Sequence, residues 1–303
     1  MPGKILKGRD LADRIEKRVA DEVDRMRSRS RAPALTVILV GNDPASEVYV
    51  RMKQRACERV GITLDLARLP ATCEEAEILG RVDAANRDEA IDGILIQLPL
   101  PKGVDENRVV ESVLPEKDVD GFHPVSLGKL MHGRPDFIPC TAAGIVEILK
   151  DARIPIEGRR IVIVGRSIVV GLPLANLLLR KSEDGNATVT VCHSRTPDLG
   201  AVTRQAEILV VAAGRAGLVT GEMVSEGAVV IDVGVNRMPD ETAKRGYRLV
   251  GDADFESVSA KASAMTPVPG GVGPLTVSML LENTLLAARL RQEKADRAGT
   301  PGR

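Results

Sequence analysis

Apolar residues recur at helical spacing over 10–28, where Leu11, Ile15, Val19, Val23 and Met26 share one face. The pattern then changes to a nearly unbroken apolar run, Leu35-Thr36-Val37-Ile38-Leu39-Val40, which predicts a buried strand over 34–40 closing at Gly41. A helix follows over roughly 44–60 and stops near Gly61. Ile91-Asp92-Gly93-Ile94-Leu95-Ile96-Gln97-Leu98-Pro99 is a second apolar run, ended by Pro99 and Pro101. Strands alternating with helices predict parallel βαβ units covered on both faces. Pro139-Cys140-Thr141 precedes an apolar helix containing Ile145, Val146, Ile148 and Leu149, which reads as a bridge between two domains.

A second α/β block begins at Arg160. Ile161-Val162-Ile163-Val164 reads as a buried strand, followed by Gly165-Arg166-Ser167 and an apolar helix through Leu179. Short strands are expected at 188–192, 207–212 and 228–233. The loop Thr266-Pro267-Val268-Pro269-Gly270-Gly271-Val272-Gly273-Pro274 leads into a helix over about 276–292, expected to pack back on the first domain. The polar tail after Glu293 is expected to fray.

Composition narrows the function classes. A chain of 303 residues with 44% hydrophobic content can bury a sizeable core and suggests two domains. Lys+Arg and Asp+Glu are equal at 42 each, which argues against an electrostatic nucleic-acid binder. Aromatic residues make up 2%, so base-stacking platforms are scarce as well. No apolar run approaches a membrane span, and Met1-Pro2-Gly3-Lys4 lacks a signal-peptide core. Cys57, Cys73, Cys140 and Cys192 are far apart with no CxxC, and there are three histidines, so neither a metal site nor a disulfide framework is indicated. The chain reads as a soluble cytoplasmic protein.

Candidate chemistry starts with Tyr49 and Lys53, four residues apart on the helix over 44–60, so a ring and an ammonium share one helical face. The same spacing also fits a tyrosine packed at a helix edge beside a solvated lysine. Gln97 ends the second apolar run, where α/β sheets place functional side chains, although an amide capping a tight Leu-Pro turn fits too. Asp120 lies in the charged run Glu116-Lys117-Asp118-Val119-Asp120, a pattern shared with solvated loops. Three glycines beside three prolines over 267–274 suit backbone packed against a ligand, and Pro269, Gly270 and Gly273 are the candidates there.

Strand, glycine turn and helix over 160–179 form a dinucleotide-binding arrangement, in which backbone amides meet a pyrophosphate at a helix N-terminus. The turn Gly165-Arg166-Ser167-Ile168-Val169-Val170-Gly171 departs from GxGxxG, because Ser167 replaces the second glycine. The next strand ends in His193-Ser194-Arg195-Thr196 rather than in the acid that usually holds a ribose 2′-hydroxyl. Ser194 with Arg166 and Arg195 suits a 2′-phosphate, which favours NADP over NAD.

Segments from about 40 to 290 together resemble the bifunctional methylenetetrahydrofolate dehydrogenase/cyclohydrolase family. They are Val40-Gly41-Asn42-Asp43-Pro44-Ala45-Ser46 with Tyr49 and Lys53, Gly93 to Pro101, Pro115 to Pro124, Val164-Gly165-Arg166-Ser167, Ile231-Asp232-Val233-Gly234-Val235-Asn236, and Thr266 to Pro274. The resemblance implies an α/β fold of two domains. A three-layer α/β folate-binding catalytic domain would comprise 1–143 and 276–303. A Rossmann-type NADP-binding domain would comprise 144–275, with a cleft between the two, and the protein would form a homodimer.

The implied chemistry is oxidation of 5,10-methylenetetrahydrofolate with NADP, then hydrolysis of the methenyl product to 10-formyltetrahydrofolate, a one-carbon donor for purine biosynthesis. By resemblance, Lys53 is the general acid/base, Gln97 its hydrogen-bonding partner, Tyr49 the ring that stacks on folate, and Asp120 the partner of the pterin edge. Gly165, Arg166, Ser167, Ser194 and Val235 would contact the cofactor. Ala142 stands where the family usually has proline and Ser126 where it usually has asparagine, and His193 reads as structural. The alternatives are a dehydrogenase for another small substrate, with Lys53 as a binding cation, and a nucleotide-sensing scaffold without turnover. The joint presence of Lys53, Gln97 and Asp120 argues against the scaffold.

Overall fold

A computed structural model describes residues 3–243 and 246–299. Its strands and helices, in chain order, are β1 (Lys4–Ile5), α1 (Arg9–Arg27), β2 (Ala34–Val40), α2 (Pro44–Val60), β3 (Thr63–Leu69), α3 (Glu75–Arg87), β4 (Gly93–Ile96), α4 (Glu106–Glu111), α5 (Pro124–Met131), α6 (Cys140–Asp151), β5 (Arg160–Val164), α7 (Gly171–Leu179), β6 (Thr188–Cys192), α8 (Leu199–Thr203), β7 (Ile208–Val211), β8 (Val229–Asp232), β9 (Asn236–Pro239), β10 (Tyr247–Val250), α9 (Phe255–Ser259), β11 (Ala264–Met265) and α10 (Val272–Gly299). They form two compact units. One is built on Asp13–Lys129 with Arg134–Ile138 and α10 from Val277 onward; the other is built on Pro139–Thr276 with Leu130–Gly133 and the described residues up to Ala12. Among the described residues, no helix is long and apolar enough to cross a membrane.

In the first unit a parallel sheet runs in the order β3-β2-β4. All of β2 is buried, as its unbroken apolar run predicts for a central strand with both faces covered. α2 begins where Asp43 accepts the Ser46 N–H at 2.8 Å, with Pro44 at its first position. It ends at Gly61, which adopts φ 79°, a left-handed conformation that glycine takes without a Cβ penalty. β4 is anchored by Asp92, whose carboxylate accepts from Arg31 at 2.7 and 3.0 Å, the Ala34 N–H at 2.9 Å and Arg291 of α10 at 2.6 Å.

The second unit holds a six-stranded, all-parallel sheet in the order β1-β11-β8-β7-β5-β6. From β5 the chain passes to β6 on one side and returns to β7 on the other. Strand order therefore reverses at the carboxyl ends of β5 and β7, where open α/β sheets bind ligands. β9 and β10 form an antiparallel hairpin, with the Arg237 guanidinium 5.0 Å from the Tyr247 ring centroid.

Some elements differ from the sequence reading. α10 begins at Val272, inside the expected loop, and tolerates Pro274 because a first-turn N–H has no intrahelical partner. It continues to Gly299, with Arg297 and Glu293 paired at i,i+4, and the rest of the polar tail expected to fray, 300–303, lies outside the described residues. The two-residue strands β1 and β11 are too short to carry an alternation.

Candidate active site

Helical spacing places Ser46, Val50, Lys53, Cys57 and Val60 on the buried side of α2. Lys53 is therefore carried into apolar surroundings and is 8% exposed. A buried ammonium requires a polar partner. Its Nζ donates to Gln97 Oε1 at 2.9 Å. Gln97 is the first residue beyond β4, and its backbone N–H donates to Ile38 O, fixing it to the central strand. Its Nε2 donates to Leu98 O at 2.9 Å, which turns the amide oxygen toward Lys53. Tyr49 lies one turn earlier on α2, half-buried. The structure thus joins Lys53 to Gln97 directly. In the same apolar setting, burial pushes the Cys57 thiol up to about 12.

Asp120 lies half-buried in the strap after β4. The strap runs parallel to that strand, with Asp118 bridged to Ile94, so two residues further on it heads for the sheet end where Gln97 emerges. Val119 is packed so closely that a Cβ on Gly93 would lie 2.6 Å from its Cγ1. Sequence reasoning left Ser46 unassigned. Its buried Oγ has no hydrogen-bond partner among the described residues, and its place seven residues before Lys53, on the same face, is the signal that could have found it.

At the second unit's switch point, Gly165 has φ 134°, and a Cβ there would lie 2.2 Å from Ala212 O. A Cβ on Gly171 would lie 2.1 Å from Gly165 O, so both ends of the turn require glycine for close packing against α7 and β7. The Gly165 N–H donates to Cys192 O, joining this turn to the end of β6. Ser167 Oγ accepts the Val170 N–H at 3.1 Å. His193 Nδ1 accepts the Arg195 N–H at 3.1 Å, a turn-forming contact that leaves Ser194 and Arg195 exposed. Neither the Arg166 nor the Arg195 guanidinium has an ion-pair partner among the described residues. Val235 is exposed beyond β8.

Two buried carboxylates unassigned from sequence tie this rim together. Asp252, 0% exposed, accepts the N–H groups of Ala213 and Gly214 at 2.6 and 2.7 Å and Asn236 Nδ2 at 2.8 Å. Asp232 accepts those of Gly234, Asp252 and Ala253 at 3.0, 2.9 and 2.9 Å. Burial raises Asp232 to about 6, against the opposing pull of these backbone donors. In the Pro-Gly loop, Gly270 has φ 102° and its carbonyl accepts the Gly8 N–H at 2.9 Å. Pro269 is exposed, and nothing lies within 4 Å of where a Gly273 Cβ would stand, so packing does not explain that glycine.

The glycine-lined turn, the helix start behind it and two guanidiniums without an ion-pair partner among the described residues fit a phosphorylated dinucleotide. Comparison with known proteins agrees. Residues 6–120 match the tetrahydrofolate dehydrogenase/cyclohydrolase catalytic domain, and residues 139–292 match the NAD(P)-binding domain of the same family. The chain belongs to this family. It is 50% identical over 285 residues to the bifunctional protein FolD of Exiguobacterium sibiricum, covering 94% of this chain and 99% of that one. It is 52% identical over 289 residues to FolD of Geobacillus thermodenitrificans, covering 95% and 98%. Among solved structures, FolD of Trypanosoma brucei, complexed with NADP cofactor and inhibitor, superposes with TM-score 0.90 at 39% identity, covering 97% of this chain and 99% of that one. FolD of Campylobacter jejuni gives TM-score 0.89 at 44% identity, covering 95% and 99%. The family's two domain matches account for the two-domain α/β architecture and for the Rossmann-like parallel sheet of the second unit.

Proposed function

We propose that Lys53 is the general acid/base of an NADP-dependent methylenetetrahydrofolate dehydrogenase that also acts as a methenyltetrahydrofolate cyclohydrolase. The observation that carries this reading is the buried Lys53–Gln97 hydrogen bond in a chain of this family. In the oxidation, a hydride leaves the one-carbon bridge and a methenyl cation remains. NADP held by Gly165, Arg166, Ser167, Ser194, Arg195 and Val235 would accept that hydride. In the hydrolysis, water adds to the methenyl carbon and gives up a proton, a carbon–nitrogen bond breaks, and the departing nitrogen is protonated to leave the 10-formyl group. Nζ of Lys53 is the group that moves these protons, and Gln97 Oε1 holds it in place. Tyr49 stacks on the folate ring system, Asp120 accepts hydrogen bonds from the amino-substituted pterin edge, and Pro269, Gly270 and Gly273 supply further substrate contacts.

Beyond these roles, the reading includes a homodimer, a cytoplasmic setting, and supply of formyl groups for purine biosynthesis. Incubation with methylenetetrahydrofolate and NADP, following NADPH, methenyl and formyl species separately, tests the central claim. NADPH and 10-formyl product should appear together with little methenyl accumulation. NADPH with accumulated methenyl product and no acceleration of its hydrolysis would remove the second activity.

A further inference from the structure

Asp120 is held by a hub that lies beside it in sequence. Lys117 spends its ammonium on three carbonyls at the end of α3, those of Ala85, Asn86 and Asp88, at 2.8–2.9 Å. Asp118 is 4% exposed and its carboxylate gathers four donors. Its Oδ1 accepts the N–H groups of Gly121 and Phe122 at 3.2 Å each, and its Oδ2 accepts the His123 N–H at 2.9 Å and the Ser126 hydroxyl at 2.6 Å. Four donors fill the acceptor capacity of an ionised carboxylate, so Asp118 has none left for a substrate. Three of them come from the residues immediately after Asp120, so the chain wraps around Asp118 with Asp120 on the rim of the turn. Val119 is clamped between Gly93 and α10, where Asn283 Nδ2 donates to its carbonyl at 2.8 Å. The residues on either side of Asp120 are thus fixed by bonds that Asp120 does not make.

We propose that Asp118, locked by the Ser126 hydroxyl, is the positioning residue that orients Asp120 toward the folate substrate. The inference rests on the placement of Asp120 in the folate site. Ser126 donates from the first turn of α5 and is 3% exposed, so no water replaces it at the hub without rearrangement. A carboxylate left with three donors relaxes toward them, and the turn that carries Asp120 relaxes with it.

Ser126→Ala, Ser126→Thr, Asp120→Asn and the Ser126→Ala/Asp120→Asn double variant test this, each read for methylenetetrahydrofolate KM, methenyl hydrolysis, NADP affinity and Tm. The alanine variant should raise folate KM roughly tenfold, the scale of one hydrogen bond to a charged group, with NADP affinity unchanged. The threonine variant keeps the hydroxyl and should restore KM. In the Asp120→Asn background, Ser126→Ala should add little, because the group it positions is already altered. Equal effects in both backgrounds, or a lower Tm with unchanged folate KM, would overturn the positioning role while leaving Asp120 in the site. Normal folate kinetics in Asp120→Asn would instead remove Asp120 from the site and the inference with it.

Discussion

Lys53 of α2 and Gln97 at the end of β4 meet through a single hydrogen bond of 2.9 Å between Nζ and the amide oxygen. One Gln97 N–H donates to Leu98 O, which orients the amide so that its oxygen accepts from the lysine. Through this contact the neutral amide holds the amine in place, an arrangement suited to a group that both takes and gives protons.

Lys53→Met should therefore abolish methenyl hydrolysis while the protein still folds and binds NADP, since the chain length is kept and the ammonium is lost. The cyclohydrolase rate should fall by on the order of 100-fold or more, and at least as far as the dehydrogenase rate. A folded variant with undiminished hydrolysis would take Lys53 out of the mechanism.

Arg166→Ala should weaken NADP by about tenfold or more, the scale of a hydrogen bond to a charged group, and leave NAD almost unchanged. Its guanidinium is exposed beside the Gly165 turn with no ion-pair partner among the described residues. Titration of both cofactors by fluorescence or calorimetry decides the matter; equal weakening of the two would show that Arg166 does not read the 2′-phosphate.

Asp120→Asn should impair folate-dependent steps and spare NADP binding. An amide presents a donor where the carboxylate presents a second acceptor, so one donor of the pterin edge loses its partner. Steady-state folate KM alongside NADP Kd checks this, and the reverse pattern would move Asp120 out of the folate pocket.

Asp232 makes stability depend on pH in an unusual direction for a carboxylate. Its ordinary value is 3.8 and burial raises it to about 6, so the folded state holds the proton more tightly than the unfolded chain. Its stabilising contribution is complete below about pH 4 and is lost as pH rises through about 6, a total on the order of 3 kcal/mol. Melts of wild type and Asp232→Asn from pH 4.5 to 7.5 isolate the effect, because other carboxylates are common to both. The advantage of wild type should shrink toward pH 7; parallel curves would refute it.

Thiol labelling gives a check on packing. Cys57, Cys140 and Cys192 are buried, and burial holds the thiols of Cys57, Cys73 and Cys192 alike above their usual range, so access decides which reacts first. Cys73 is half-buried, so alkylation of the native protein at pH 7.5 should mark Cys73 first, as peptide mapping would show. Early labelling of Cys57 would indicate that the buried face of α2 opens readily.

The sequence by itself determined the periodic elements and the local motifs. The apolar run at 34–40 read as a strand, and the helix over roughly 44–60 was given its end by Gly61, because a glycine stop acts through neighbouring backbone groups. The glycines at 165 and 171 and the missing acid after β6 were equally legible, since turn geometry and phosphate chemistry are local. Tertiary structure alone decided which side chains meet. Lys53 and Gln97 are 44 positions apart, and only the pairing of β4 with β2 beside α2 brings them within a hydrogen bond. Asp232 stood in sequence only as one member of the Ile231–Asn236 segment and Asp252 had no assignment; burial and converging backbone N–H groups, which no spacing rule encodes, made them the ties of the cofactor rim. The same holds for Asp118, one acid in a charged run until the fold turned the chain around it.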